Sequence, residues 1–125
     1  MKKRVLLLDD NDDILEVVRE VLIYEGYDVK CVNNSADFYK TITNWQPALV
    51  ILDYRLADGN GGEITSDLKN NPATRNIPVI IFTAYFVNNM DLLQYGCDSV
   101  ILKPFDIQEL TGEIAKLLGG VPSLS

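Results

Sequence analysis

Five short apolar runs, each followed by a longer amphipathic stretch, constrain this chain more than any other feature. The runs cover residues 5–8, 29–32, 49–52, 79–82 and 100–102. Three are nearly continuous in Val, Ile and Leu, the composition of strands buried on both faces. Between them apolar residues recur at helical spacing. In 13–25, Ile14, Val17, Val18, Val21 and Leu22 fall on one stripe, and Gly26 supplies a stop. Ser35 is expected to cap a helix carrying Phe38, Tyr39, Ile42 and Trp45, ended by Pro47. Residues 62–70 carry Ile64 and Leu68, and residues 88–95 carry Leu92 and Leu93 with Gly96 as stop. Asp106 and Glu109 have capping-box spacing before a last helix with Leu110, Ile114, Leu117 and Leu118.

Five strand-then-helix repeats predict an α/β fold: a five-stranded parallel sheet, doubly wound, with helices on both faces. Ligands of such sheets bind at the carboxyl ends of the strands. The residues just after the five runs are Asp9 and Asp10, Asn33 and Asn34, Asp53, Thr83, and Lys103. The second strand end offers only neutral amides. The others offer carboxylates, a hydroxyl and an amine. Three carboxylates meeting at one edge repel unless a cation joins them, and carboxylates plus waters are a typical Mg²⁺ environment. A free carboxylate beside Mg²⁺, a hydroxyl and an ammonium suits phosphoryl transfer, with the carboxylate as nucleophile.

Composition narrows the partners. The net charge of −7 and pI near 4.4 disfavour phosphate backbones and anionic membranes, so direct nucleic-acid binding is not expected. No apolar run approaches the ~18 residues of a membrane span, and no secretory pattern follows the basic Met1–Arg4 start. A cytoplasmic setting is expected. Cys31 and Cys97 lie in no metal or redox spacing and read as packed thiols. With no histidine in its 125 residues, the chain has no internal phosphohistidine. Residues 1–118 are expected to form one domain and 119–125 a flexible tail or a linker stub.

The segments "LLLDDNDD", "LVILDYRLADGNGGE", "IPVIIFTA" and "GCDSVILKPF" resemble the receiver domains of two-component response regulators, over about Lys3 to Leu118. The resemblance implies the flavodoxin-like strand order 2-1-3-4-5. It implies that Asp53 accepts a phosphoryl group from a phosphohistidine on a sensor histidine kinase or histidine phosphotransfer protein. Asp10 directly, Asp9 through water, and the backbone carbonyl of Arg55 would then hold Mg²⁺ with Asp53. Thr83 would be the hydroxyl and Lys103 the ammonium at the phosphoryl oxygens, with a cis Lys103–Pro104 bond. The output surface would run from Asn88 to Leu118, toward an effector or a second copy in a homodimer. Such a domain is a phosphoacceptor that assists its own phosphorylation and dephosphorylation, not an enzyme acting on other substrates. It would be a stand-alone regulator or a piece of a longer protein.

The chain departs from the family at several places. Val100 stands where the family usually has an aromatic residue whose rotamer follows the threonine, and a β-branched aliphatic cannot swing that way. Tyr85, Phe86 and Phe105 are the candidate replacements. The usual proline of the loop after the acceptor is Ala57, and the glycine-rich 58–62 predicts a mobile loop. Arg55 and Tyr85 hold the two rim positions, predicting a phosphoryl lifetime different from that of an Asn-and-Glu rim. Two other readings stand beside the receiver. A pseudo-receiver would be an interaction module with switching weakened by Val100. A haloacid-dehalogenase-like phosphohydrolase would use Asp10-Asn11-Asp12, but it has no need of Asp53. Asp12 and Asp13 are expected at the positive start of the first helix, with Asp12 as its cap.

Overall fold

The computed structural model describes residues 2–84 and 92–119. In chain order the elements are β1 Arg4–Leu8, α1 Asp12–Tyr24, β2 Asp28–Val32, α2 Ser35–Trp45, β3 Leu49–Asp53, β4 Arg55–Leu56, β5 Gly59–Asn60, α3 Gly61–Lys69, β6 Val79–Thr83, β7 Ser99–Leu102 and α4 Ile107–Leu117. Five strands form one parallel sheet in the order β2-β1-β3-β6-β7, which is 2-1-3-4-5 counted along the main strands. β4 and β5 pair only with each other, antiparallel, Arg55 opposite Asn60 and Leu56 opposite Gly59. Of the helix expected over 88–95, residues 88–91 lie outside the described residues.

Successive side chains of a strand point to opposite faces, so each central strand feeds two cores. Leu6, Leu8, Val50, Leu52, Val79 and Ile81 pack with Phe38 and Ile42 of α2, Ile64 and Leu68 of α3, and Leu92. Val5, Leu7, Leu49, Ile51, Ile80 and Phe82 pack with Leu15, Val18 and Leu22 of α1 and Leu110 and Ile114 of α4. This is why β3 and β6 are apolar and buried at every position before their last residue, while the outer strand β2 has only half-buried and exposed positions and β7 buries only Ile101.

Three local expectations are corrected. The buried stripe of α1 is Leu15, Val18 and Leu22, and Val17 is 53% exposed. The cap of α1 is Asn11 rather than Asp12; its side chain accepts the N–H groups of Asp13 and Ile14. The cap of α2 is Asn34 rather than Ser35, accepting from Asp37 N–H. Asp106 caps α4 by accepting from Gln108 N–H. The Lys103–Pro104 bond is cis.

The glycine-rich stretch after Asp53 forms the β4–β5 hairpin and the first turn of α3. Its last two glycines are there for close packing. A Cβ on Gly61 would run into the Asp53 carbonyl, and one on Gly62 would lie 2.5 Å from the Tyr95 ring.

Candidate functional site

The parallel order delivers the ends of β1, β3, β6 and β7 to one edge. β1 ends at Leu8, so Asp9 and Asp10 follow it directly, while Asp53 and Thr83 are the last residues of β3 and β6. Asp53 pairs in register with Phe82, and Thr83 with Leu102, which puts Lys103 one step beyond the threonine. The Lys103 N–H donates to the Thr83 carbonyl at 2.8 Å and extends that pairing.

Asp9 is 2% exposed. One of its oxygens accepts the Asn11 N–H at 2.9 Å, and the other accepts the Lys103 ammonium at 2.8 Å. The same ammonium lies 3.4 Å from Asp53 Oδ2. It sits 5.8 Å from the centre of the Phe82 ring, which stacks on Phe105 at 4.9 Å. Asp10 is exposed. One carboxylate oxygen from each of Asp9, Asp10 and Asp53 falls within 4.8 Å of the others. A hard cation that keeps several waters fits such an all-oxygen donor set.

Burial pushes the Asp53 carboxyl up to about 6, and the charge of Asp9 adds to the rise. The Lys103 ammonium and a hydrogen bond from the Arg55 N–H oppose it without cancelling it. The carboxylates here therefore carry more negative charge than one lysine neutralises. Beside them opens a cavity of about 450 Å³, lined by Asp10, Asp53 and Lys103 on one side and by Arg55, Leu56, Ala57 and Ala84 on the other.

The structure thus gathers Asp9, Asp10, Asp53 and Lys103 at one point, with Arg55 on the cavity rim. Thr83 reaches the same strand edge but is fully buried, and the exposed Ala84 beyond it lines the cavity. Tyr85 and Phe86 lie outside the described residues. Val100 is half-buried in the core layer of α2 and α3, whereas Phe105 packs in the opposite layer, so Phe105 does not stand in for an aromatic at Val100. Tyr54 and Tyr95 pack against the same core layer as Val100, with their ring centres 6.4 Å apart. Sequence reasoning missed Leu56, Ala57 and Ala84 as cavity walls; their only signal was adjacency to Asp53 and Thr83.

A family model described as the response regulator receiver domain matches residues 5–115. The polar-differentiation response regulator DivK of Brucella anthropi is 28% identical over 121 residues, covering 95% of this chain and 98% of that protein. The phosphate regulon transcriptional regulatory protein PhoB of Pseudomonas aeruginosa is 31% identical over 118 residues. That match takes in 93% of this chain and 52% of PhoB, so the chain spans about half the length of that relative. Among solved structures, response regulator protein TrrA of Thermotoga maritima in complex with Mg(2+)-BeF superposes with a TM-score of 0.84. It is 30% identical and covers 92% of this chain and 98% of that one.

Proposed function

This chain belongs to the response regulator receiver domain family, and on that footing we propose that Asp53 accepts a phosphoryl group from the phosphohistidine of a sensor histidine kinase or histidine phosphotransfer protein. The observation that carries the reading is the position of Asp53. It lines an open cavity, lies 3.4 Å from the Lys103 ammonium, and has its carboxyl raised to about 6 among like charges. A carboxylate oxygen of Asp53 attacks phosphorus, the bond from phosphorus to the donor imidazole nitrogen breaks, and its electron pair leaves with the imidazole. Lys103 offsets negative charge on the transferring group, and Asp9 positions Lys103 through its 2.8 Å contact. The Thr83 hydroxyl donates to a phosphoryl oxygen. Asp9, Asp10, Asp53 and the Arg55 carbonyl would hold Mg²⁺, which supplies positive charge to the same oxygens when bound.

The phosphorylated domain then shifts population between two conformations and presents the surface from Asn88 to Leu118 to an effector or a second copy. Residues 1–118 act as the receiver unit and 119–125 as tail or linker, in the cytoplasm and without direct contact to nucleic acid or membrane. Among the described residues no helix is long and apolar enough to cross a membrane.

Phosphate mapping by mass spectrometry after incubation with acetyl phosphate and Mg²⁺ tests the assignment. Label on Asp53, absent in Asp53→Asn, is expected. An unlabelled wild type, or label persisting in the variant, refutes it, and label on Asp10 instead favours a phosphohydrolase.

A further inference from the structure

The outer wall of the acceptor cavity is anchored at its base, by the buried Leu56 and by the Gly61 N–H donating to the Tyr54 carbonyl at 2.7 Å, but its tip has little of its own to hold it. β4 and β5 contribute two residues each and share two ladder pairs. An isolated two-stranded hairpin of that size is not stable in water. Gly59, at φ 153°, restrains nothing, and Ala57, Asp58 and Gly59 are all exposed. Yet this hairpin carries the Arg55 N–H that donates to the Asp53 carboxylate, and its Leu56 and Ala57 line the cavity.

Its tip is tied to another element. The Asp58 carboxylate reaches Ser35, 23 residues earlier, with both oxygens. Oδ2 accepts the Ser35 backbone N–H at 2.9 Å, and Oδ1 accepts the Ser35 hydroxyl at 2.8 Å. Ser35 is the first residue of α2, and its N–H is one of the donors that a helix start leaves without an intrahelical partner. The Asn34 cap takes the Asp37 N–H and leaves that of Ser35 to Asp58. The contact is charge-assisted, and the anion sits at the positive end of α2. Its two hydrogen bonds pull the Asp58 carboxyl below the usual carboxylate range.

We infer that Asp58 and Ser35 form a clasp that holds the β4–β5 hairpin over Asp53 and thereby sets how long a phosphoryl group survives on Asp53. Asp58 is a positioning residue, acting through Arg55, Leu56 and Ala57. Without the clasp the hairpin opens, the Arg55 N–H leaves the Asp53 oxygen, and water reaches the acyl phosphate through the loosened wall. The lifetime half of this inference rests on Asp53 being the acceptor; the clasp itself does not.

Two measurements separate the halves. Hydrogen exchange by mass spectrometry on the unlabelled protein reads the hairpin directly. In Asp58→Ala, peptides covering residues 54–62 should exchange at least about fivefold faster, the population change that loss of even one hydrogen bond of ordinary net strength produces. Ser35→Ala, which loses only the hydroxyl, should move the same peptides less, and the double variant no further than Asp58→Ala. Decay of acid-labile phosphate on Asp53 after removal of acetyl phosphate should speed up in the same rank order. Asp58→Asn, which keeps an acceptor oxygen, should recover part of both. Unchanged exchange in Asp58→Ala overturns the clasp. Faster exchange with an unchanged phosphoryl lifetime overturns its role at the site. A wild type that takes no label at Asp53 overturns the acceptor reading and the lifetime half with it, while the exchange result still decides the clasp.

Discussion

Replacing the proposed acceptor should make the metal-free protein more stable. The Asp53 carboxyl is raised from an ordinary 3.8 to about 6, chiefly by burial and then by the charge of Asp9. Its folded-state value thus lies above its unfolded one. Between about pH 4 and pH 6 the folded state binds the proton more tightly than the unfolded state does. Stability is therefore lost as pH rises through that window and stays lost above it. A gap of about two pH units at ~1.36 kcal/mol each sets an upper bound near 3 kcal/mol at neutral pH. The Asp53 side chain is only 12% exposed, so solvent screening removes little of this. Asparagine keeps the shape and a carbonyl oxygen but never ionises, so Asp53→Asn should gain about 1–3 kcal/mol in EDTA at pH 7.5. For a chain of 125 residues, each kcal/mol corresponds to roughly 4 °C, so the expected rise in Tm is about 4–12 °C.

The assay is a series of thermal melts followed by circular dichroism, wild type beside Asp53→Asn, from pH 4 to pH 8 in EDTA. The two Tm values should converge near pH 4 and separate up to pH 6. Mg²⁺ should narrow the gap at pH 7.5 by raising the wild type. Equal Tm values at pH 7.5 would mean that attraction to Lys103 cancels burial and the repulsion from Asp9, and a lower Tm for the variant that it outweighs them. An offset as large at pH 4 as at pH 7.5 would mean that the gain comes from packing rather than from charge. Any of these results refutes the reasoning.

Lys103→Ala leaves the buried Asp9 carboxylate without its 2.8 Å partner, and should cost about 2–4 kcal/mol by urea unfolding in EDTA; a loss below about half a kcal/mol would contradict the burial argument. Asp10 is exposed, so Asp10→Asn should leave the EDTA melt nearly unchanged but abolish the rise in Tm on adding Mg²⁺. In the wild type the stabilisation behind that rise should be about 2.7 kcal/mol at a hundred times Kd. Asn11→Ala should lose about 1 kcal/mol as the cap of α1, against a few tenths for Asp12→Ala; the reverse order in urea midpoints would restore Asp12 as the cap. Exchanging Arg55 and Tyr85 for Asn and Glu should change the rate of phosphoryl loss from Asp53, and an unchanged rate would remove both from the rim.

The strand ends were legible because a doubly wound parallel sheet is covered on both faces. Strands such as β3 and β6 must then be apolar at nearly every position, and each run announces where it stops. Once the runs are placed, topology alone brings Asp9, Asp53 and Lys103 to one edge. What was not legible turns on one-residue offsets or on distant neighbours. Asn11 and Asp12, like Asn34 and Ser35, are all capping types, and backbone geometry decides between adjacent ones. α1 has apolar residues around more than one face, so Leu15 and Val17 compete for the core. Gly61 and Gly62 read as a source of mobility, yet their need for glycine comes from the Asp53 carbonyl and from Tyr95, the latter more than thirty positions on.

The acidic run 9–13 shows the same division most sharply. Four carboxylates in five positions look alike in sequence and do three different things in the fold. Asp12 and Asp13 lie in the first turn of α1, where the helix dipole favours negative charge. Asp10 opens into the cavity. Asp9 faces inward, with one oxygen taken by the Asn11 N–H and the other by Lys103. It therefore acts on Asp53 in two opposed ways: its charge raises the Asp53 carboxyl, and its grip on Lys103 places the ammonium that lowers it. The 2.8 Å contact to Asp9 is shorter than the 3.4 Å contact to Asp53. Lys103 is thus anchored from below by Asp9 rather than by Asp53, which leaves the cavity-facing carboxylate the less neutralised of the two.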